Sequence, residues 1–149
     1  MKLVCAPETF AFPAGDDALH VVLYGQPGRP DRGSAGASAR YDILQAGLEA
    51  APRAWDLLSL ALSVVTADLA GLRDRSPDGW TREFELDVTV ADPAFWSTQT
   101  SALEAALGFL TTDRCGFASW KAESCHRRHA DRFVPTRTAF CCYPVASTA

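Results

Sequence analysis

Leucine is missing from the last 35 residues of this 149-residue chain, although the first 114 residues contain 15 of them. At the same frequency about five leucines would be expected in 115–149, because leucine is normally among the commonest residues of a globular protein. The charge changes at the same point: 1–114 carry 9 Lys and Arg against 16 Asp and Glu, whereas 115–149 carry 5 against 2. So abrupt a break indicates that the two segments have different origins.

Long apolar runs, a secretory leader and paired cysteines are also lacking. No apolar run approaches the roughly 18 residues of a membrane-spanning helix, and residues 1–6 are too short for a signal sequence before Pro7 and Glu8 interrupt it. A single cysteine in 1–114 predicts a reducing, cytoplasmic setting rather than a disulfide framework. The acidic balance of 1–114 argues against nonspecific nucleic-acid binding. Neither a membrane nor a nucleic acid is therefore an expected partner.

Back-translation offers an origin for the leucine-free tail. The codons of residues 143–149 can be TAT CCG GTG GCC TCG ACA GCC, and the shifted frame then encodes Ser-Gly-Gly-Leu-Asp-Ser. Just upstream, residues 139–143 permit Val-Leu-Leu-Leu in that frame. Loss of one G from a Trp codon at position 115 would convert Asp-Arg-Trp-Arg-Leu-Arg into the observed residues 113–118. The hypothesis is that 115–149 are out of frame and poorly ordered.

The hidden stretch Leu-Leu-Leu-Ser-Gly-Gly-Leu-Asp-Ser resembles the pyrophosphate-binding loop of the ATP pyrophosphatase superfamily, and in particular that of 7-cyano-7-deazaguanine synthase. In such loops, glycine lets backbone N–H groups approach the phosphate, and a helix N-terminus adds positive potential. The in-frame residues resemble one branch, the 7-cyano-7-deazaguanine synthase-like protein of the Qat anti-phage defence system. The matching stretches are 55–62, 78–83, Asp92-Pro93 with Trp96, and 109–114.

This resemblance implies that 1–114 are the N-terminal leader domain of a longer ATP-using protein. The intact relative would be an ATP-dependent synthase-like enzyme, with ATP as cofactor and zinc as a further candidate. The expected partners are the missing C-terminal ATP pyrophosphatase domain and other defence-system proteins. Because the loop residues are absent from the frame given, the chain itself is expected to be inactive and to hold no cofactor. No catalytic, cofactor-binding or metal-binding residue is assigned to it.

Two segments predict complete strands. Residues 19–25, an apolar run that ends in glycine, indicate a short buried strand. Residues 82–90 alternate between apolar and polar side chains, which predicts a strand with one wet face and an antiparallel or edge character. The intervening residues 26–40 are rich in Gly, Pro, Ser and Ala and predict a mobile loop. A third strand is expected to begin at 111–114 and to break there.

Two segments predict helices. Residues 53–70 follow Pro52 and carry apolar side chains at helical spacing. Its core face is expected to comprise Trp55, Leu58, Leu62, Val65 and Leu69. Its solvent face is expected to comprise Asp56, Ser59, Ser63 and Thr66. Asp92 as N-cap and Pro93 begin the second helix, with a packed Trp96 and a buried side of Phe95, Ala102, Leu103, Ala106, Leu107 and Leu110.

The order strand, helix, strand, helix, broken strand predicts a small layered domain of the α+β or α/β class. A disordered C-terminal tail is expected to follow it.

Other candidate sites have a simpler interpretation. Cys125, His126, His129, Cys141 and Cys142 offer zinc ligands or a thiol nucleophile, but at unsuitable spacing. The acids of 82–90, which are Glu83, Glu85 and Asp87, are interpreted as a solvated face. His20 is expected in the core. The loop glycines match no phosphate-loop spacing; they are Gly25, Gly28, Gly33 and Gly36.

Two alternative functions stay open. One is a stand-alone protein-binding module, which packing of the tail aromatics against the core would favour; these are Phe117, Trp120, Phe133, Phe140 and Tyr143. The other is a zinc- or thiol-dependent protein that uses the tail cysteines and histidines.

Overall fold

The computed structural model describes residues 1–122, which form five strands and three α-helices. The strands are β1 (Lys2–Pro7), β2 (Leu19–Leu23), β3 (Gly33–Ala35), β4 (Glu83–Val90) and β5 (Arg114–Ala122). The helices are α1 (Ala37–Gln45), α2 (Pro52–Ala70) and α3 (Pro93–Thr111), and a 3-10 turn spans Arg73–Arg75. The expected α/β class is confirmed. The tail residues 123–149 lie outside the described residues.

All the strand pairs in this part of the chain are parallel, in the order β3-β2-β1-β4-β5. The chain moves outward from β1 to β3, crosses back through α1 and α2, and continues outward through α3. A single apolar cluster joins one face of the sheet to both long helices: it includes Leu3, Val21, Leu86, Trp55 and Trp96. Since parallel crossovers are right-handed, α2 and α3 cover the same face.

Strand β4 corrects the edge or antiparallel expectation, because it lies inside the sheet between β1 and β5. On the polar face of β4, the acids Glu83 and Glu85 are exposed. Asp87 is buried and lies 3.5 Å from the Lys2 ammonium, and buried Thr89 donates to the Cys5 carbonyl at 3.4 Å. A strand can therefore alternate in polarity and still be central when its inner polar groups find partners.

The segment 26–40 is not wholly a loop, which corrects the second expectation. It contains β3 and the start of α1, joined at Gly36 with φ of 81°. A Cβ atom at Gly36 would collide with the Leu62 side chain and with the ring of Tyr24. Glycine is required here both by the backbone conformation and by the close approach of α2.

The strand expected to break after Arg114 continues to Ala122 and pairs with β4 along its length. Cys115 and Phe117 are buried, and the rings of Phe117 and Trp120 stack at 4.8 Å. The indole N–H of Trp120 donates to Thr100 Oγ1 at 3.1 Å. The expectation of poor order is therefore wrong for 115–122.

Helix α2 has the bounds expected from the sequence, and Trp55, Leu58 and Leu62 contact the core as expected. The helix is nevertheless rotated relative to the expected orientation, because Val65 and Leu69 are exposed. Its polar side chains face the sheet: Asp56, Ser59, Ser63 and Thr66 are all buried. The hydroxyls of Ser59, Ser63 and Thr66 each donate to the carbonyl four residues earlier, at 2.7–2.9 Å. These small, internally satisfied residues let α2 lie close to the sheet, and they leave Leu57, Val65 and Leu69 more than half exposed.

Helix α3 is also less covered than expected. Trp96 is buried, as predicted, and Phe95, Leu103 and Leu107 are partly buried. Ala102, Ala106 and Leu110, which were expected on the buried side, are exposed. The reason is that α3 packs mainly on the edge strand β5, so only a narrow stripe of the helix contacts the sheet.

The amino ends of β4 and β5 and the end of α2 meet at the buried guanidinium of Arg82. It pairs with Asp113 at 2.5 Å and with Asp68, and it donates to the carbonyls of Asp68 and Gly71 at 3.0 and 2.8 Å. Burial by itself would raise the pKa of Asp113, but the hydrogen bonds and charge of Arg82 outweigh it and hold that pKa below the ordinary value of 3.8. One side chain thus fixes three elements.

Removing that guanidinium should destabilise the fold. We expect Arg82→Met to lower the free energy of unfolding by about 3–5 kcal/mol, because a buried carboxylate loses its main partner. Arg29→Met, at an exposed pair with Asp31, should cost less than about 1 kcal/mol. Urea denaturation at pH 7 measures both, and equal effects would contradict the assigned role of Arg82.

The same pair should make stability sensitive to acid. The pKa of Asp113 is lowered in the folded protein, so its contribution is complete above the unfolded value and is lost as the pH falls from there through the folded value. The wild-type free energy of unfolding should therefore fall between pH 7 and about 3 by more than that of Asp113→Asn. Parallel pH profiles would be inconsistent with this prediction.

Two leucine substitutions test the rotation of α2. Ser63→Leu should lower the free energy of unfolding by about 1–3 kcal/mol, because Ser63 is fully buried against the sheet and the larger side chain overpacks it. Val65→Leu, at a position 54% exposed, should change it by less than about 0.5 kcal/mol. Thermal and urea unfolding provide the measurement. If Val65 faced the core, as the apolar periodicity suggests, the larger loss would occur there.

Candidate docking surface

The outward face of α2 is apolar and uncharged over three turns. Ala54, Leu57, Ala61 and Val65 lie in one row at helical spacing, and we call them the α2 stripe. All four are exposed, with Leu57 at 55% and Val65 at 54%. No charged residue occurs between Asp56, which is buried, and Asp68. The helix therefore presents to its surroundings the kind of face that helices normally turn inward.

A second apolar area lies where α2 and α3 end. Leu72, Phe109 and Leu110 are exposed by 53%, 86% and 74%, and we call them the end patch. Arg73 lies 3.4 Å from Asp113 and donates to the carbonyl of Thr111 at 3.5 Å. Arg73 directly follows Leu72 and Thr111 directly follows Leu110, so this contact places the ends of α2 and α3 side by side.

The beginnings of the two helices are fixed by polar contacts. Arg53 pairs with Asp92 at 2.9 Å, and its guanidinium lies 4.0 Å from the centre of the Phe95 ring. Asp92 caps α3, as predicted, and its pKa is lowered by the backbone N–H of Phe95 and then by Arg53. The two helices are therefore tied together at both ends.

Buried Asp56 connects α2 with the turn between β4 and α3. Its carboxylate accepts hydrogen bonds from the N–H groups of Ala91 and Asp92 at 2.7 and 3.3 Å, and from the indole of Trp96 at 2.9 Å. Two donors from the turn and one from α3 converge on this carboxylate of α2, so the orientation of α3 depends on α2. Together with the arginine contacts, this makes the outer helix surface a defined shape.

The α2 stripe exposes two large apolar side chains, and the end patch exposes three. With about 200 Å² for each large side chain, their exposed fractions correspond to roughly 200 Å² for the stripe and roughly 400 Å² for the end patch. The end patch is thus within the range of the largest patch on a typical monomer, which is often functional. The arrangement is therefore suited to protein–protein contact.

A groove of about 480 Å³ adjoins the end patch, since Leu72 contributes to its lining. It lies at the amino ends of β1, β4 and β5 and is lined in part by Met1, Gly71, Arg82 and Arg114. Ligands of open parallel sheets bind outside the carboxyl ends of the strands, and the guanidinium of Arg82 is already fully used. The groove therefore does not resemble a substrate site.

The sequence candidates within 1–122 do not form a reactive site. His20 lies on β2 with its Nε2 2.9 Å from Asp16 and its ring 5.0 Å from that of Phe12. Glu83 pairs with Arg114, and Lys2 pairs with Glu85 and Asp87, so Asp87 departs from the solvated face expected for it. No three potential metal-ligating side chains cluster in this part of the chain.

The remaining candidates fall elsewhere. The cysteines and histidines considered for zinc or thiol chemistry lie outside the described residues: Cys125, His126, His129, Cys141 and Cys142. Gly33 lies in β3 and Gly36 caps α1, so they do not form a phosphate cradle. None of the described helices is long and apolar enough to cross a membrane.

No protein-family model, curated protein or solved structure matches this chain. Sequence reasoning missed the docking surface because it assigned the larger apolar side chains of α2 to the core. The signal that identifies it is the row of small polar residues with Asp56, a pattern suited to close packing on a sheet.

Asp56→Ala should loosen α3. The substitution leaves three donors without their acceptor and should lower the free energy of unfolding by at least about 1–3 kcal/mol. It should also shift tryptophan emission to longer wavelength, because Trp96 loses its anchoring partner. Asp42→Ala, at an exposed position of α1, is the matched control and should leave both observables unchanged. An Asp56 variant as stable as the control would refute the role assigned to this carboxylate.

Proposed function

We propose that this domain is the leader of a longer 7-cyano-7-deazaguanine synthase-like, ATP-using defence protein, and that it is inactive by itself. Its role is to dock on the ATP pyrophosphatase domain encoded after it in the shifted frame. The observation that carries this proposal is the end patch, where Phe109 and Leu110 are exposed by 86% and 74%. Two adjacent large apolar residues on a rigid helix end are suited to insertion into a partner surface.

The distances permit this docking. β5 ends at Ala122, at the carboxyl edge of the sheet, and the end patch lies at the amino edge. The separation is about the length of α3, which at 1.5 Å per residue is roughly 28 Å. The 16 positions from 123 to 138 precede the shifted-frame strand and can span up to about 55 Å. The downstream domain can therefore fold back onto the end patch.

A second candidate is a stand-alone docking module whose tail is native. The packing of β5 favours it, because Phe117 is buried and Trp120 contacts the core and Thr100. Such packing was the feature expected of a native tail, and it is present for these two aromatics. Phe133, Phe140 and Tyr143 lie outside the described residues. Both candidates use the apolar outer surface, and they differ in the native sequence that each assigns to the chain after Arg114.

Resequencing the gene through codon 115 and about 300 bases beyond the stop separates the two candidates, since that length encodes about 100 residues, enough for much of a further domain. The leader proposal expects the Ser-Gly-Gly-Leu-Asp-Ser frame to stay open and to enter a long coding stretch. The restored protein should release pyrophosphate from ATP in the presence of its substrate, and the present chain should not. A closed frame would end the leader proposal and bring the stand-alone module forward.

The end patch has its own test in the restored protein. Phe109→Asp should expose the interdomain linker and raise the rate of its cleavage by protease about tenfold or more, because a charge replaces the docked ring. Thr98→Asp, at an exposed position on the same helix, should leave the rate unchanged. Equal cleavage of both variants, in a protein whose frame is open, would place the docking contact elsewhere.

A further inference from the structure

The α2 stripe is self-complementary about Ala61. Two copies of α2 packed antiparallel with Ala61 on the two-fold axis would bring Leu57 of each copy against Val65 of the other, because these positions lie four residues on either side of the centre. Ala54 and Ala61 have the small side chains that allow helices to approach closely. The row thus alternates small residues with larger apolar ones, as knobs and holes require.

The charges at the two ends of the stripe are also complementary. The only charged side chains exposed on α2 are Arg53, near its start, and Asp68, near its end. Their side chains are 59% and 58% exposed. In the antiparallel pair, Arg53 of one copy lies beside the end of the other helix, where Asp68 is. A guanidinium has five donors and a carboxylate about four acceptor sites, so both can take a partner in addition to Asp92 and Arg82.

We propose that this chain forms a homodimer through an antiparallel contact of two α2 helices centred on Ala61. The helix dipoles then oppose one another, which favours this orientation over a parallel one. A parallel pair would instead place like charges together. The end patch remains free for the downstream domain, so the dimer and the proposed docking do not exclude each other. This inference goes beyond the proposed function, and the dimer can form whichever reading frame is native after Arg114.

The area indicates a weak dimer. The exposed parts of Leu57, Val65 and Leu69, with the alanines and the flanking charges, amount to on the order of 400–600 Å² per copy. Stable complexes bury about 800 Å² per partner. We therefore expect a dissociation constant in the range of about 10–100 µM rather than nanomolar. A reversible dimer of this strength is measurable with the full chain.

Charge substitutions at the centre test the dimer. In sedimentation equilibrium at about 200 µM, about two to twenty times the expected dissociation constant, more than half of the full chain should be dimeric. Ala61→Lys and Ala61→Glu should each associate about a hundredfold more weakly and be mainly monomeric, because residue 61 faces its own copy across the axis. An equimolar mixture of the two variants should dimerise again, because lysine then faces glutamate.

Matched controls use Ala105, which is exposed on α3 and lies outside the stripe. Ala105→Lys and Ala105→Glu should dimerise like the wild type, and near-ultraviolet circular dichroism should show every variant folded. A monomeric wild type at this concentration, or an Ala61→Lys protein that associates normally, would overturn the proposal. Failure of the mixture to recover the dimer would remove Ala61 from the axis and overturn it as well.

Discussion

The buried guanidinium of Arg82 is the interaction on which the rest of this structure depends. It joins the starts of β4 and β5 through Asp113 and the end of α2 through Asp68 and two backbone carbonyls. Burying a charge is costly unless partners replace the lost water, so the end of α2 has little freedom in where it lies. Once that end is placed, the rotation of the helix decides which of its faces meets the sheet.

That rotation accounts for the main difference between sequence and structure. Apolar periodicity identified α2 and its bounds, because a 19-residue helix with proline at its start is specified locally. Its orientation is not local. The hydroxyls of Ser59 and Ser63 bond within the helix, so they enter the core at little cost, and both side chains are fully buried there. Close packing therefore outweighed burial of leucine.

The other differences between prediction and structure arise where an element depends on residues that are distant in the sequence. Asp92 and Pro93 marked the start of α3, since capping depends on neighbouring residues. The central position of β4 depends on residues more than eighty positions away in the chain. Lys2 pairs with buried Asp87, and the carbonyl of Cys5 accepts a hydrogen bond from Thr89. β1 and β3 were not identified, because short strands buried between parallel neighbours leave only a brief apolar or glycine-rich trace. The docking surface was missed for the same reason as the orientation of α2.

The two exposed areas differ in chemistry, and this difference supports separate partners. The α2 stripe is narrow, rich in alanine and bounded by opposite charges, which suits a second helix of the same kind. The end patch has one aromatic and two leucines grouped at a corner, which suits insertion into a pocket. In the two proposals, a copy of the chain occupies one surface and a following domain occupies the other, so the two partners do not compete. A proposed pair of leaders would hold two such domains close together, so contacts too weak to form between free molecules would form between the tethered ones.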